Sequence, residues 1–217
     1  MKIIHQDDHL IIVDKPAGLS VLPDGWEKDS DYLVKRLEEP FGKVFIVHRL
    51  DKITSGVMVF ARDADTHRTL NLQFEQHTAQ KTYHAILEGN PKWDDKTAKH
   101  PLRANVGHKH RTMVDNKHGK PSETRFRVIK RYEESALVEA KPLTGRTHQI
   151  RVHAYAIGHP LVEDILYGAR DRYGLPHPML HAQSLSFIHP ATNERVKFSA
   201  PHPDDFEEAL KILGAAY

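Results

Sequence analysis

Short apolar runs broken by turn residues set the rhythm of this chain. Ile3-Ile4 and Leu10-Ile11-Ile12-Val13 flank Asp7-Asp8-His9, the pattern of a hairpin. Lys15-Pro16-Ala17-Gly18 marks an irregular loop beyond it. A helix is predicted over 31–39, capped by Ser30 or Asp31, stopped by Pro40, with Leu33, Val34 and Leu37 on its apolar face. Val44-Phe45-Ile46-Val47 and Val57-Met58-Val59-Phe60-Ala61 are rich in β-branched and aromatic residues, as short buried strands are. Asp63 caps a second predicted helix over 64–77, in which Leu70 and Phe74 lie one turn apart. From 81 to 87 the chain alternates, which puts Tyr83, Ala85 and Leu87 on one face of a strand. Further strands are predicted at 124–128, 137–140, 180–188 and 195–198. Thr144 or Thr147 caps a third helix that runs to Ile157, with Gly158 at its C-terminal end and Pro160 beyond. A last helix begins near Asp204 and stacks Phe206, Leu210 and Leu213 before Gly214 ends it. Strands dominate and do not alternate regularly with helices, so the expected class is α+β.

Composition narrows what such a chain can be. Its 217 residues fit one domain or two small ones with a sizeable core. With 39% hydrophobic and 28% charged residues, a globular, soluble protein is expected. The apolar runs are too short to cross a bilayer, and Asp7 and Asp8 interrupt what would be a signal-peptide core. No cysteine is present, which excludes disulfides and thiolate metal sites. A cytoplasmic protein without membrane contact is the expectation.

Charge is unevenly spread. The net charge is only +2, yet the segment from Arg103 to Arg131 holds nine Lys or Arg against two Asp or Glu. It also carries His108, His110 and His118, which gain charge at mildly acid pH. Such a stretch attracts a polyanion, and counterion release makes that attraction salt-dependent. A solvated basic surface with no ligand is the other reading.

Two blocks concentrate polar chemistry. His48-Arg49-Leu50-Asp51-Lys52-Ile53-Thr54-Ser55-Gly56 places one carboxylate beside an arginine, in a connection between two predicted strands. Functional side chains gather in such connections, although Asp also serves as an ordinary turn residue. In the second block, 144–153, Ile150, Ala154 and Ile157 form a buried stripe. His148, Arg151 and Tyr155 form another at i, i+3 and i+7. That puts a guanidinium near a helix start, beside a histidine and close to Arg146, an arrangement suited to a phosphate or a carboxylate. Seventeen histidines invite a metal site, but HExxH is missing, and His148 and His153 are five apart, poorly placed for one helical face. Neither a G-x-S-x-G elbow nor a phosphate-loop motif occurs. Carboxylate chemistry near arginines remains, with aromatic residues to hold a flat substrate.

Along nearly its whole length the chain resembles the RluA-type pseudouridine synthases. The matching pieces are Lys15-Pro16-Ala17-Gly18, His48-Arg49-Leu50-Asp51 with Thr54-Ser55-Gly56, Lys81-Thr82-Tyr83 and Gly119-Lys120-Pro121. They continue with the block from Thr144 to His153, then Gly158-His159-Pro160, Tyr167-Gly168 and Leu180-His181-Ala182. The resemblance implies a bent, mixed, largely antiparallel sheet flanked by helices and loops. It also implies an active cleft across that sheet and one catalytic domain over 1–217. No room is left for the S4-like domain that many relatives carry at the N-terminus.

What the resemblance implies about chemistry is specific. Asp51 is the aspartate that isomerises uridine to pseudouridine within RNA, Arg151 the basic residue that pairs with it, and Tyr83 the aromatic that packs on the target base. Isomerisation breaks the N-glycosidic bond, turns the uracil and joins C5 to C1′, so a carboxylate can stabilise positive character at C1′. Attack at C1′, attack at C6 of the ring and removal of the 2′-proton all stay open, with action at the sugar favoured. Arg49 fills the space the extruded base leaves. His48, Arg146, His148, Lys109, Arg111 and Lys120 are the expected RNA-binding residues. Partners would be tRNA or rRNA, acted on by a monomer with no cofactor and no metal. Glu163 departs from the family's glycine, and His177-Pro178-Met179 stand where an arginine commonly precedes Leu-His-Ala. A catalytically idle RNA-binding relative and a nucleoside or glycoside hydrolase are the rival readings.

Overall fold

The computed structural model describes residues 1–23, 31–107 and 111–215. Ser30 and Lys109 lie outside the described residues, as do His108 and His110. In chain order the elements are β1 (Lys2–Gln6), β2 (Leu10–Lys15), α1 (Leu33–Phe41), β3 (Phe45–Ile46), β4 (Ser55–Ala61), α2 (Ala64–Glu75) and β5 (Gln80–Glu88). They continue with β6 (Asp95–Lys99), β7 (Leu102–Val106), β8 (Arg111–Val114), β9 (Glu123–Arg131), β10 (Ser135–Pro142) and α3 (Gln149–Ala156). A 3-10 turn at Ile165–Tyr167, β11 (Leu180–Ile188), β12 (Arg195–Ser199) and α4 (Asp204–Gly214) complete the order. The fold is α+β with mostly antiparallel strands.

The chain divides into two compact units, 1–81 with 182–202, and 82–181 with 203–217. In the first, strands follow the order β1-β2-β4-β11, with β12 beside β11 and β3 beside β4. The predicted hairpin is β1–β2, closed by Asp7, whose carboxylate accepts from the amides of His9 (2.7 Å) and Leu10 (2.9 Å). Leu10, Ile12, Val57, Val59 and Ala61 pack with Leu70 of α2 and with Leu185 and Phe187 of β11. Asp63 caps α2 by accepting from the Thr66 amide at 2.8 Å. α1 starts at Leu33 rather than Asp31, because Tyr32 is extended and the Leu33 and Val34 amides bond the carbonyls of Ser20 and Val21. Pro40 lies in its last turn instead of ending it, and Gly42, at φ +69, leads the chain away.

The second unit has the order β5-β10-β9-β6 and a separate β7–β8 hairpin. Alternation along β5, β9 and β10 places Ala85, Leu87, Phe126, Val138 and Ala140 against Ile150 and Ala154 of α3. The other face meets α4, where Ile86 and Leu137 pack with Phe206, Ala209 and Leu213. β5 and β11 each begin in one unit and end in the other. No helix among the described residues is long and apolar enough to cross a membrane.

Candidate active site

Asp51 lies in the connection between β3 and β4 and is half-buried. The loop is pinned from below by Lys15, the last residue of β2, which is fully buried. Its ammonium donates to the carbonyls of Pro16 (2.9 Å), Leu19 (2.8 Å) and Lys52 (3.1 Å). Gly18 donates to the same Lys52 carbonyl at 2.9 Å, and the Thr54 amide closes a turn on the Asp51 carbonyl at 3.0 Å. Burial lowers the Lys15 pKa to about 8, and the Asp51 charge acts against that shift. A protonated lysine thus lends the loop positive potential at neutral pH. Leu50 is buried while Arg49 is exposed, so successive side chains anchor the loop and project from it. Gly56 lets the loop enter β4: a Cβ there would stand 2.2 Å from the Ala182 carbonyl oxygen, and its φ is +112.

His48 takes part in packing. Its ring stacks on Phe74 at 4.8 Å, and Nε2 accepts from the Val59 amide at 3.2 Å. Burial first, and the Lys81 charge second, push its pKa down to about 3, so the imidazole is neutral.

In the second unit the block 144–153 is knotted around Gln149. Its side-chain oxygen accepts from the Thr144 hydroxyl (2.7 Å) and the Arg146 amide (3.0 Å). Its amide nitrogen donates to the Glu123 carbonyl (2.9 Å) and Thr124 Oγ1 (3.0 Å). The expected threonine cap is not used; His148 precedes α3 in the left-handed region at φ 52, with no side-chain cap bond. Thr144 is committed to Gln149 instead. One turn on, His153 is buried and accepts from the Thr124 hydroxyl at 2.9 Å, and burial lowers its pKa.

Arg151 forms a buried, bidentate pair with Asp164, both bonds 2.7 Å, and its guanidinium lies 5.0 Å from the Tyr167 ring centre. Tyr167 also meets His148, its hydroxyl 2.9 Å from Nδ1. The structure therefore brings His148 and Arg151 together on one tyrosine. Tyr83 sits on β5 opposite Ala140 and packs against the α3-side core. Arg146 is exposed, its Nε 3.5 Å from the Pro121 carbonyl. Arg111 and Lys120 are exposed as well; the Lys120 backbone pairs with Leu102, which ties 119–121 to β7. Among the described residues no group of three or more His, Asp or Glu is arranged for a metal.

Sequence reasoning missed Lys15, Gln149 and Asp164 as supports, and gave Tyr167 no role although it quoted Tyr167-Gly168 as a motif. The two departures from the family pattern have structural explanations. Glu163 adopts φ 62, and its carboxylate accepts from the amides of Tyr173 (2.6 Å) and Arg172 (3.3 Å), fastening the segment after the 3-10 turn. His177 bonds Asp205 of α4 at 2.8 Å.

The RNA pseudouridylate synthase family matches residues 9–156. The ribosomal large subunit pseudouridine synthase C of Vibrio cholerae is 37% identical over 221 residues, covering 99% of this chain and 70% of that protein. The dual-specificity RNA pseudouridine synthase RluA of Vibrio vulnificus is 37% identical over 198 residues, covering 88% of this chain and 79% of that protein. Among solved structures, human RNA pseudouridylate synthase domain containing 4 superposes with a TM-score of 0.81 at 26% identity, covering 98% of this chain and 93% of that one.

Proposed function

Because the chain belongs to the RNA pseudouridylate synthase family, whose members convert uridine to pseudouridine, we propose that Asp51 performs this isomerisation at the ribose of an extruded uridine in ribosomal or transfer RNA. The observation that carries the reading is Asp51 itself, in a loop fastened through Lys15 and flanked by an exposed arginine. An ionised carboxylate faces C1′ as the N-glycosidic bond breaks and stabilises the positive character that develops there. The freed uracil turns, and C5 bonds to C1′ while the C5 proton leaves. N1 keeps the electron pair of the broken bond and takes up a proton from solvent, so atoms and electrons balance with one proton lost at C5 and one gained at N1, and neither cofactor nor metal is required.

The other residues take roles around this step. Arg151, oriented by Asp164 and Tyr167, is the cation that serves the aspartate, and Tyr83 is the face on which the uracil rests. Stacking worth about 1–3 kcal/mol offsets part of the few kcal/mol needed to extrude a base. Arg49 occupies the gap left in the RNA. Arg146, His148, Lys109, Arg111 and Lys120 contact the RNA, with His48 supporting the loop's base. Residues 1–217 act as one catalytic domain, since β5 and β11 run from one unit into the other. The reading includes a monomer in the cytoplasm.

Large-subunit ribosomal RNA is the first substrate to test, because a relative that matches 99% of this chain is named for it. The experiment incubates the protein with ribosomal RNA or tRNA carrying tritium at uridine C5. Tritium released into water without free uracil is the expected result; no release from either RNA, or free uracil, overturns the reading.

A further inference from the structure

Tyr167 is buried at the junction of three elements. Its hydroxyl accepts from the amide of Thr112 in β8 at 3.0 Å. The same oxygen is 2.9 Å from His148 Nδ1, and the two rings meet edge to face at 5.7 Å. The face of its ring carries the Arg151 guanidinium, whose other side is held by Asp164. Asp164 and Tyr167 belong to one turn, the Tyr167 amide bonding the Asp164 carbonyl at 2.9 Å. Leu102 and Val152 close the apolar surroundings of the ring.

The two ends of this side chain do separate work. A neutral phenol has one proton; burial raises the pKa of this one, so it stays protonated at working pH. With the Thr112 amide directed at the oxygen, the phenol proton is available to His148 Nδ1, the arrangement in which a neutral His148 carries its own proton on Nε2. Thr112 is buried and directly follows Arg111, which is exposed. The hydroxyl thus meets the β7–β8 hairpin at Thr112 and the His148 ring, while the ring face meets the Arg151 guanidinium.

We propose that Tyr167 is a positioning residue with two separable functions: its hydroxyl aligns Arg111 and His148 for RNA, and its ring aligns Arg151 for the chemical step. The proposal rests on the RNA-isomerase reading given above. Two variants split it. Tyr167→Phe keeps the ring beneath Arg151 and removes the hydroxyl; KM for RNA should rise roughly three- to tenfold, the scale of one or two hydrogen bonds, with kcat within about twofold of the parent. In the same variant the Thr112 amide should exchange faster, and 15N shifts should show His148 losing its Nε2–H preference. Tyr167→Leu removes both functions and should lower kcat by at least about tenfold as well. Rates are normalised to the folded fraction from circular dichroism. An unchanged KM in Tyr167→Phe, or equal losses of kcat in both variants, overturns the proposal. A parent protein that releases no tritium contradicts the isomerase reading instead, and His148 nitrogen shifts and Thr112 exchange still decide the hydroxyl's role.

Discussion

At the residue scale, the side chains that frame the chemistry are held by groups far less conspicuous in sequence than themselves. Asp51 and Arg49 stand out because a carboxylate and a guanidinium adjoin in a loop between apolar runs. Lys15 does not, because its work depends on three carbonyls brought together only by folding, one of them 37 positions away. Arg151 is legible as a cation near a helix start, but its bond to Asp164 spans a turn whose geometry no pattern discloses. His48 has a measurable consequence. Its folded-state pKa, about 3, lies below the 6.5 of an unconstrained imidazole. Between those values the unfolded chain binds the extra proton, so this group makes stability fall as pH drops below about 6.5. His48→Phe keeps a ring on Phe74 and removes the titration. Urea unfolding from pH 7 to pH 4 should give a shallower loss of stability in the variant, by up to about one proton's worth of slope. An identical slope in both proteins would show that His48 does not carry this linkage.

At the scale of elements, legibility followed periodicity. β2, β4, α2, β5 and α4 were readable because each has one apolar face or run meeting a core. β6, β7 and β8 were not, since Asp95–Lys99, Leu102–Val106 and Arg111–Val114 are short, lack a sustained apolar face or run and are largely exposed. The α3 start was misassigned because Thr144 and Thr147 both satisfy a capping pattern, whereas the chain uses Gln149 as the organiser. That amide has four bonds and is buried, so Gln149→Met, similar in size, strands several polar groups at once. A loss of about 2–4 kcal/mol is expected in chemical denaturation. Hydrogen exchange should quicken at 144–148. A loss under about 0.5 kcal/mol would mean that the loop is organised by other contacts.

At the scale of the whole molecule, charge and catalysis belong to different stretches of sequence. The segment 103–131 is strongly cationic in a chain of net charge +2, and its described lysines and arginines are exposed. Several are answered by acids, such as Arg127 by Glu139 at 3.1 Å and Arg131 by Asp94 at 2.7 Å. Lys120→Ala should therefore reduce the slope of log affinity for RNA against log salt by about one, and Arg127→Ala by less. Equal slopes for the parent and Lys120→Ala, in titrations at several salt concentrations, would remove that lysine from the phosphate contacts. Affinity for RNA is thus one property of the molecule and isomerisation another, and one substitution can part them. Asp51→Asn keeps shape and removes the charge that faces the sugar. Tritium release from C5-labelled RNA should fall to background in this variant, while its RNA affinity in a binding titration stays within about threefold of the parent, under about 0.7 kcal/mol. Release at a rate near that of the parent would contradict the account.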